Sequence, residues 1–382
     1  MIHWCGAGLS SGPGLRRLVD AGREVTVWEI SREAALAALG GRAAPVQDFA
    51  PEALAGALRA GDVVVAMVPT DRQLPLASLA VTHGAHFVSS SYLSPGLRAL
   101  GAEAREAGAV LLAEVGLDPG IDHLMAHDLV AAHRASKAYD RDNVLSFTSY
   151  CGGLPAQPNA FRYKFSWSPL GVLKALRAPA RSIRHYTELS MSHPWEALGP
   201  YTAPLPAPEL FEVYPNRDSL PYIAEYGFDP RWKVKEFERG TLRPNGWAEA
   251  WAPIFEEVAA AEGAAGEERL AALAEELRQG NAYAEGEADR VVLCVSLLAE
   301  REGRAVFHKT WALDAWGDLR GSAMARLVSG MVALGAGAVL DREIAPGLRG
   351  APSDPRLVRR WLEAVRGWAQ FMEKVDHLKR RR

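Results

Sequence analysis

The sequence predicts an α/β fold: an N-terminal doubly wound parallel sheet of the Rossmann type, followed by a mixed α/β domain. Three observations carry this. Residues 1–114 alternate short, wholly apolar runs with helical patterns, which a parallel sheet covered on both faces requires. A Gly-Ala-Gly turn at residues 6–8 joins the first run to the first helical pattern, the context of a dinucleotide-binding turn. Farther on, Val144 to Cys151 alternates residue by residue, as strands of an antiparallel or mixed sheet do.

Ile2 to Cys5 is the first strand. Pro13 and the pattern Leu15, Leu18, Val19 make a helix that ends near Gly22. Val25 to Glu29 is the second strand, and Ser31 enters a helix over Ala34 to Leu39. Ala44 to Val46 is a short third strand and Val63 to Val68 a buried fourth. Phe87 to Ser89 and Val110 to Ala113 complete six. Right-handed crossovers turn these into a doubly wound sheet. The chain is loop-rich around Pro155, Pro158, Pro200, Pro204, Pro206 and Pro208, and Ala248 to Leu277 is Ala/Glu-rich and helical. Arg290 to Glu300 and Arg304 to Leu313 read as a hairpin. The apolar run Leu327 to Leu340 is too short to span a bilayer and reads as a buried helix. The domains expected are 1–120 for the dinucleotide, 121–320 for the substrate with a helical insert near 248–280, and 321–382 as C-terminal helices returning to the first domain.

A chain of 382 residues suits two or three domains. A net charge of −3 leaves no basic field for nucleic acid, and the run Lys379 to Arg382 reads as a solvated tail. Cys5, Cys151 and Cys294 are far apart and odd in number, so no disulfide framework is expected. A reducing, cytoplasmic setting follows. No signal peptide or membrane association is expected.

The cofactor signal sits in the first two strands. Gly6 and Gly8, with Leu9 and Ser10 beyond them, let backbone N–H groups and a helix N-terminus meet a pyrophosphate. The third glycine of the pattern falls on Ser11, with Gly12 and Gly14 close by. Glu29 ends the second strand 21 residues after Gly8, where an acidic residue binds the adenosine ribose 2′-OH. It favours NAD over NADP by repelling a 2′-phosphate, although Arg32 is close enough to accommodate one.

Ligands bind outside the carboxyl ends of such strands. Those ends carry Val68-Pro69-Thr70, Ser89-Ser90-Ser91-Tyr92 and Glu114 to Asp122. Singly each is an ordinary turn; three at the right ends of one sheet point to a site. Val68, Pro69, Ser89, Ser90 and Leu117 are expected toward the cofactor, and Ser91, Tyr92 and Asp118 toward the substrate. His123 and His127 stand four apart on a predicted helix, a spacing that can bind zinc. No third ligand at metal spacing is evident, so the structural reading is preferred and no metal is expected. Lys164 reads as solvated or ion-paired.

Seven segments resemble the L-glutamate-forming saccharopine dehydrogenase (saccharopine reductase) family: SSYLSP from Ser90, GLDPGIDH from Gly116, SYCGGLP from Ser149, RYKFSWSPLGVL from Arg162, YPNRDS from Tyr214, RGTLR from Arg239 and SAMARL from Ser322. RYKFSWSP and the acidic strand end look most like the dehydrogenase half of the animal bifunctional lysine-degrading enzyme, which uses NAD; fungal lysine-making relatives use NADP. The resemblance implies oxidation of saccharopine to glutamate and 2-aminoadipate semialdehyde, and a homodimer. It implies catalytic roles for Asp118, Tyr92 and Cys151. It also implies substrate contacts from Gly153, Arg217, Thr241 and Arg243, the arginines gripping carboxylates. Asp218, beside Arg217, offers a structural pairing instead. Two departures border the expected cleft: a shorter stretch between Arg243 and Arg290, and Pro244-Asn245-Gly246-Trp247 where the family has an aromatic directly after RGTLR. Rival readings are an imine-reducing enzyme like carboxynorspermidine synthase and a non-catalytic NAD-binding regulator.

Overall fold

The computed structural model describes residues 1–379; the expected basic tail lies outside them beyond Lys379. The chain runs β1 (Ile2–Cys5), α1 (Gly12–Asp20), β2 (Val25–Glu29), α2 (Arg32–Leu39), β3 (Val46–Asp48), α3 (Pro51–Ala57), β4 (Val63–Ala66), α4 (Gln73–Thr82), β5 (His86–Ser89), α5 (Pro95–Ala99), α6 (Gly101–Glu106), β6 (Val110–Leu112) and α7 (Ile121–Arg134). It continues through β7 (Val144–Pro155), α8 (Pro169–Arg177), β8 (Ala180–Arg184), β9 (Thr187–Met191), β10 (Gly199–Ala203), β11 (Glu209–Pro215), α9 (Pro221–Glu225), β12 (Lys233–Pro244), α10 (Trp247–Ala260), α11 (Gly263–Gly280), β13 (Asp289–Arg301) and β14 (Arg304–Trp316). The last elements are α12 (Ala323–Leu340), β15 (Gly347–Arg349), α13 (Pro355–Arg366) and β16 (Phe371–Asp376). Two compact units result: Met1–Leu124 with Asp318–Trp368, and Met125–Gly317 with the residues from Ala369 onward.

The first unit is a seven-stranded sheet in the order β15-β6-β5-β4-β1-β2-β3, parallel throughout. Reversal of direction at β1 makes this a doubly wound sheet with its crevice beside β1. Val63, Val64, Val65 and Ala66 of β4 are fully buried, because helices cover both faces. On one side Val64, Phe87 and Leu111 pack with Leu76 and Ala80 of α4. Burying a side chain such as Phe87 stabilises by about 1.5–3 kcal/mol. On the other lies α12, buried nearly all round. It is long and apolar enough to cross a membrane, yet 78% of it is buried inside the chain, the environment of a core helix. It approaches α1 so closely that a Cβ on Gly14 would stand 2.0 Å from the Ser329 carbonyl oxygen.

Two strands depart from expectation. β3 begins at Val46, two residues later than predicted, after Pro45, which has no N–H for a ladder. β15 adds a seventh strand beside β6; its three residues, Gly-Leu-Arg, carry too little pattern to be read.

The second unit is a mixed sheet in the order β10-β11-β12-β7-β13-β14-β16, with β8 and β9 branching from β12. Only β12 and β7 run parallel; the other pairings are antiparallel. Gly263, in a left-handed conformation at φ 61°, divides the predicted 248–277 helix into α10 and α11. One boundary is corrected: residues after Trp368 do not return to the first unit. β16 pairs with β14, Leu313 opposite Met372, because its apolar positions complete the edge of the mixed sheet.

Candidate active site

The turn after β1 is pinned by a residue that breaks the glycine pattern. The Ser11 hydroxyl donates to the Gly6 carbonyl at 2.9 Å and accepts from the Trp4 indole at 2.7 Å. The glycines divide the work. Gly6, at φ 99°, leaves no room for a side chain beside the Met67 carbonyl, and Gly14 does the same at α12. Nothing lies within 4 Å of where a Gly8 Cβ would stand, so the backbone there faces open space that a side chain would fill. Glu29 closes the loop from the next strand. One carboxylate oxygen accepts from Ala7 N at 2.6 Å, and the other from Ile30 N at 2.8 Å and Ser31 N at 3.3 Å. Leu9, which follows Gly8, and Ile30, which follows Glu29, are exposed, and Ser10 is half-buried. This is the arrangement a dinucleotide requires: a bare backbone arc at a helix start and a fixed acceptor one strand away.

The loops after β4 and β5 are tied together by Gln73, which the sequence reading missed. Its amide nitrogen donates to the Val68 carbonyl at 3.1 Å and the Ser91 hydroxyl at 2.7 Å, while its oxygen accepts from Ser89 Oγ at 2.7 Å. Ser91 N in turn donates to Ser89 Oγ at 3.0 Å. Ser89 therefore serves the framework, fully buried, and Ser90, Ser91 and Tyr92 remain half-buried.

The loop after β6 crosses beside them. Tyr92 OH donates to Asp118 Oδ1 at 3.2 Å, joining two residues predicted for catalysis. Gly116 passes so near Ser90 that a Cβ on it would meet the Ser90 Cβ at 2.8 Å, and Leu117 is buried beneath. Two buried carboxylates went unread here. Glu114 accepts from Leu93 N at 3.1 Å and faces His123 Nε2 at 3.5 Å; Asp122 accepts from Gly120 N at 2.7 Å and faces His123 Nδ1 at 3.5 Å. The sequence reading takes 114–122 as one strand-end loop without singling out these two residues; Glu114 adopts φ 57° and Asp122 lies in the first turn of α7. His123 thus has carboxylate neighbours, while His127 meets the edge of Tyr226 at 5.7 Å.

In the second unit, candidates far apart in sequence fall on one sheet face. Cys151 of β7 lies opposite Thr241 of β12, and Thr241 opposite Tyr214 of β11. Period-two alternation adds Ser149, Gly153, Arg239 and Arg243 to that face. The opposite face, with Tyr150, Leu154, Phe211, Val213, Leu242, Val292 and Cys294, is a hydrophobic core. Ser149 and Arg239 belong to motifs quoted above but were not singled out. Arg239 is buried with its guanidinium over Tyr222 at 4.2 Å. Ser149 Oγ is buried with no hydrogen-bond partner among the described residues.

The two predicted arginine clamps differ. Arg217 is exposed at φ 57° after β11. The neighbouring Asp218 carboxylate accepts from Arg181 at 3.0 Å and from Leu220 N at 3.0 Å. Arg243 is enclosed by Tyr163, Tyr214 and Trp247, whose ring centroids lie 4.7, 5.5 and 5.3 Å from its guanidinium carbon. It donates to Tyr214 OH at 2.8 Å and to Leu242 O. Burial raises the Tyr214 phenol pKa, and the neighbouring Arg243 charge opposes the rise. Lys164 is ion-paired with Glu287 at 2.6 Å.

Fold and site together define a Rossmann-type dinucleotide-binding protein with a second, mixed-sheet unit. Comparison with known proteins narrows this. Residues 2–112 match the saccharopine dehydrogenase NADP binding domain, and residues 116–368 the saccharopine dehydrogenase C-terminal domain. The chain belongs to the saccharopine dehydrogenase family. It is 34% identical over 254 residues to a saccharopine dehydrogenase [NADP(+), L-glutamate-forming] of Pyricularia oryzae, covering 63% of this chain and 54% of that one. It is 37% identical over 193 residues to an alpha-aminoadipic semialdehyde synthase of Arabidopsis thaliana, covering 49% and 18%. The chain therefore spans about half, or less, of these relatives' lengths. A solved saccharopine dehydrogenase (L-Glu forming) from Saccharomyces cerevisiae superimposes with a TM-score of 0.79 at 26% identity, covering 98% of this chain and 99% of that one.

Proposed function

We propose that this protein oxidises saccharopine with NAD and water to L-glutamate and 2-aminoadipate 6-semialdehyde. The observation that carries the reading is the Tyr92–Asp118 hydrogen bond at the carboxyl edge of a Rossmann sheet, in a chain that matches both domains of the saccharopine dehydrogenase family.

The turn at Gly6–Gly8 and Glu29 would hold the dinucleotide, and Val68, Pro69 and Ser90 would border its nicotinamide. Bound there, it supplies a hydride acceptor. The protein's own groups manage protons and charge. Asp118 accepts the proton of the attacking water, held in reach by its bond to Tyr92, whose phenol then donates to the departing amine. Overall a C–H bond becomes hydride, water adds across the resulting C=N bond, and C–N cleavage releases glutamate and the aldehyde. Arg217 and Thr241 grip substrate carboxylates, and Cys151 and Gly153 leave space along the sheet face. We propose a homodimer as the working form, on the family resemblance.

Glu29 supports NAD, although the relatives named above carry NADP(+) in their names. Its carboxylate is fixed by three backbone N–H groups, and a 2′-phosphate beside it would meet like-charge repulsion. The test is steady-state turnover of saccharopine with each dinucleotide. We expect higher kcat/KM with NAD, a preference that Glu29→Ala narrows. A higher value with NADP would reject the cofactor assignment; no turnover with either would reject the reaction.

A further inference from the structure

The Gln73 amide has one orientation compatible with its partners, and this fixes the direction of a short hydrogen-bond chain. The Val68 carbonyl can only accept, so the atom facing it at 3.1 Å must be the amide nitrogen. The amide oxygen then faces Ser89, whose hydroxyl must donate to it at 2.7 Å. Ser89 cannot turn away, because its oxygen also accepts from Ser91 N at 3.0 Å. The second amide hydrogen goes to Ser91 Oγ at 2.7 Å. Gln73 is buried and both of its hydrogens are committed.

Ser91 Oγ therefore accepts from Gln73, and its single proton has no acceptor among the described residues. We infer that Gln73 is a positioning residue that sets the polarity of Ser91: the hydroxyl is held as a donor, matched to a carboxylate of the substrate and mismatched to a cationic amine. This rests on the reading of Ser91 as facing substrate. It specifies what that reading leaves open, which part of a zwitterionic amino acid this edge receives. The chain works through orientation, so it should govern substrate affinity more than the chemical step.

The substitution that reverses the polarity is Gln73→Glu. A carboxylate keeps the shape and still accepts from Ser89, but it cannot donate. Ser91 then turns its proton to residue 73 and presents lone pairs to the substrate. Gln73→Met removes the bonds without imposing the reverse direction, leaving Ser91 free to rotate. The readouts are KM and kcat for saccharopine, the dinucleotide Kd by fluorescence titration and the melting temperature, with each Gln73 variant made in wild-type and Ser91→Ala backgrounds. A hydrogen bond to a charged group is worth about ten- to a hundred-fold in affinity. We expect Gln73→Glu to raise KM by that factor, more than Gln73→Met, with dinucleotide Kd and kcat within about threefold. In the Ser91→Ala background both substitutions should lose their effect on KM.

A Gln73→Glu penalty that persists with Ser91 removed would mean plain charge repulsion and overturn the inference. A milder effect from Glu than from Met would do so too. If Gln73→Glu does not fold, Gln73→Met against Ser91→Ala decides, since additive effects reject coupling through the hydroxyl. Glutarate binding, measured by calorimetry with NAD present, separates this inference from the proposed reaction. Binding without turnover, with the same coupling between positions 73 and 91, would sink the reaction and keep the polarity. Absence of both would sink both.

Discussion

The two units carry their candidate residues by different means. In the first, the candidate features are backbone: the bare arc at Gly8, the N–H groups that fix Glu29, and three turns at the carboxyl ends of β4, β5 and β6. Each turn follows its strand directly, so a local motif specifies both the fold and the site. In the second, the candidates are side chains that share a face only because β12 pairs with β7. That register sets Thr241 opposite Cys151, and slipping it by one residue would turn every candidate to the other face. Parallel sheets of this kind announce their sites in sequence; mixed sheets announce theirs once the pairing is known.

The largest effect expected is at Arg217, in the second unit. Arg217 is exposed after β11, and the proposed function gives it a substrate carboxylate. If bound saccharopine covers the ion pair, Arg217→Ala should lower its kcat/KM by roughly thirty- to several-thousand-fold, from about 2–5 kcal/mol for a buried carboxylate left without its partner. Dinucleotide affinity and melting temperature should be unchanged. Near-normal turnover would remove the clamp and weaken the side-chain half of the comparison.

The backbone half is tested by two glycines six residues apart. Gly14→Ala drives a methyl group into the Ser329 carbonyl. Forcing α1 from α12 should cost about 3 kcal/mol, lowering the melting temperature by roughly 6–12 °C at about 2–4 °C per kcal/mol. Gly8→Ala meets nothing within the protein. It should leave stability unchanged and weaken dinucleotide binding, measured by fluorescence titration. Equal losses of stability in the two would show that the Gly8 arc is packed rather than open.

How much of this was legible follows the same division. β1, β2 and the Gly6–Glu29 arrangement could be read directly, because strand, turn and acidic residue follow one another along the chain. Gln73 could not, since nothing around it marks a glutamine that will bind back to two strand ends. Glu114 and Asp122 were in view as parts of a strand-end loop; that both are buried against His123 is set by tertiary packing, which the loop's sequence does not show. β16 was read as helical because six residues with an alternating pattern are short against the helix that precedes them. Arg217 and Arg243 looked alike in sequence, both in motifs of the family, and only the fold separates an exposed cation from a walled one.

Acid should unfold the second unit through His133. The ring is packed among Tyr139, Trp232 and Phe307, and burial, aided by the Arg134 charge, pushes its pKa down from 6.5 to about 4. Between those values the unfolded chain takes up a proton that the folded chain refuses. Stability is therefore full above about pH 6.5 and lost as pH falls toward 4, by about 2–3 kcal/mol. His133→Phe should flatten this part of the melting profile. An unchanged acid slope in the variant would assign the loss to other groups.

The smallest effect separates the two arginines of the second unit. Among the described residues, Arg243 holds a buried charge with no carboxylate among its contacts, and its Nε, Tyr163 OH and Trp247 Nε1 are buried without hydrogen-bond partners. Three aromatic faces offset part of the cost of burying the cation, each by about 0.5–2 kcal/mol. The remaining desolvation cost makes the charge a poor source of stability. Arg243→Met keeps most of the volume and the contact with the rings while removing the charge. Stability should change by no more than about 1 kcal/mol in either direction. If Arg243 mainly fills and shapes the floor below Thr241, turnover should fall far less than in Arg217→Ala, with dinucleotide affinity unaltered. Measuring kcat/KM and melting temperature for the two variants side by side decides between the roles. A fall in turnover as deep as that of Arg217→Ala, with the fold intact, would make Arg243 a second clamp and show that the aromatic cage serves to hold a charge for the substrate.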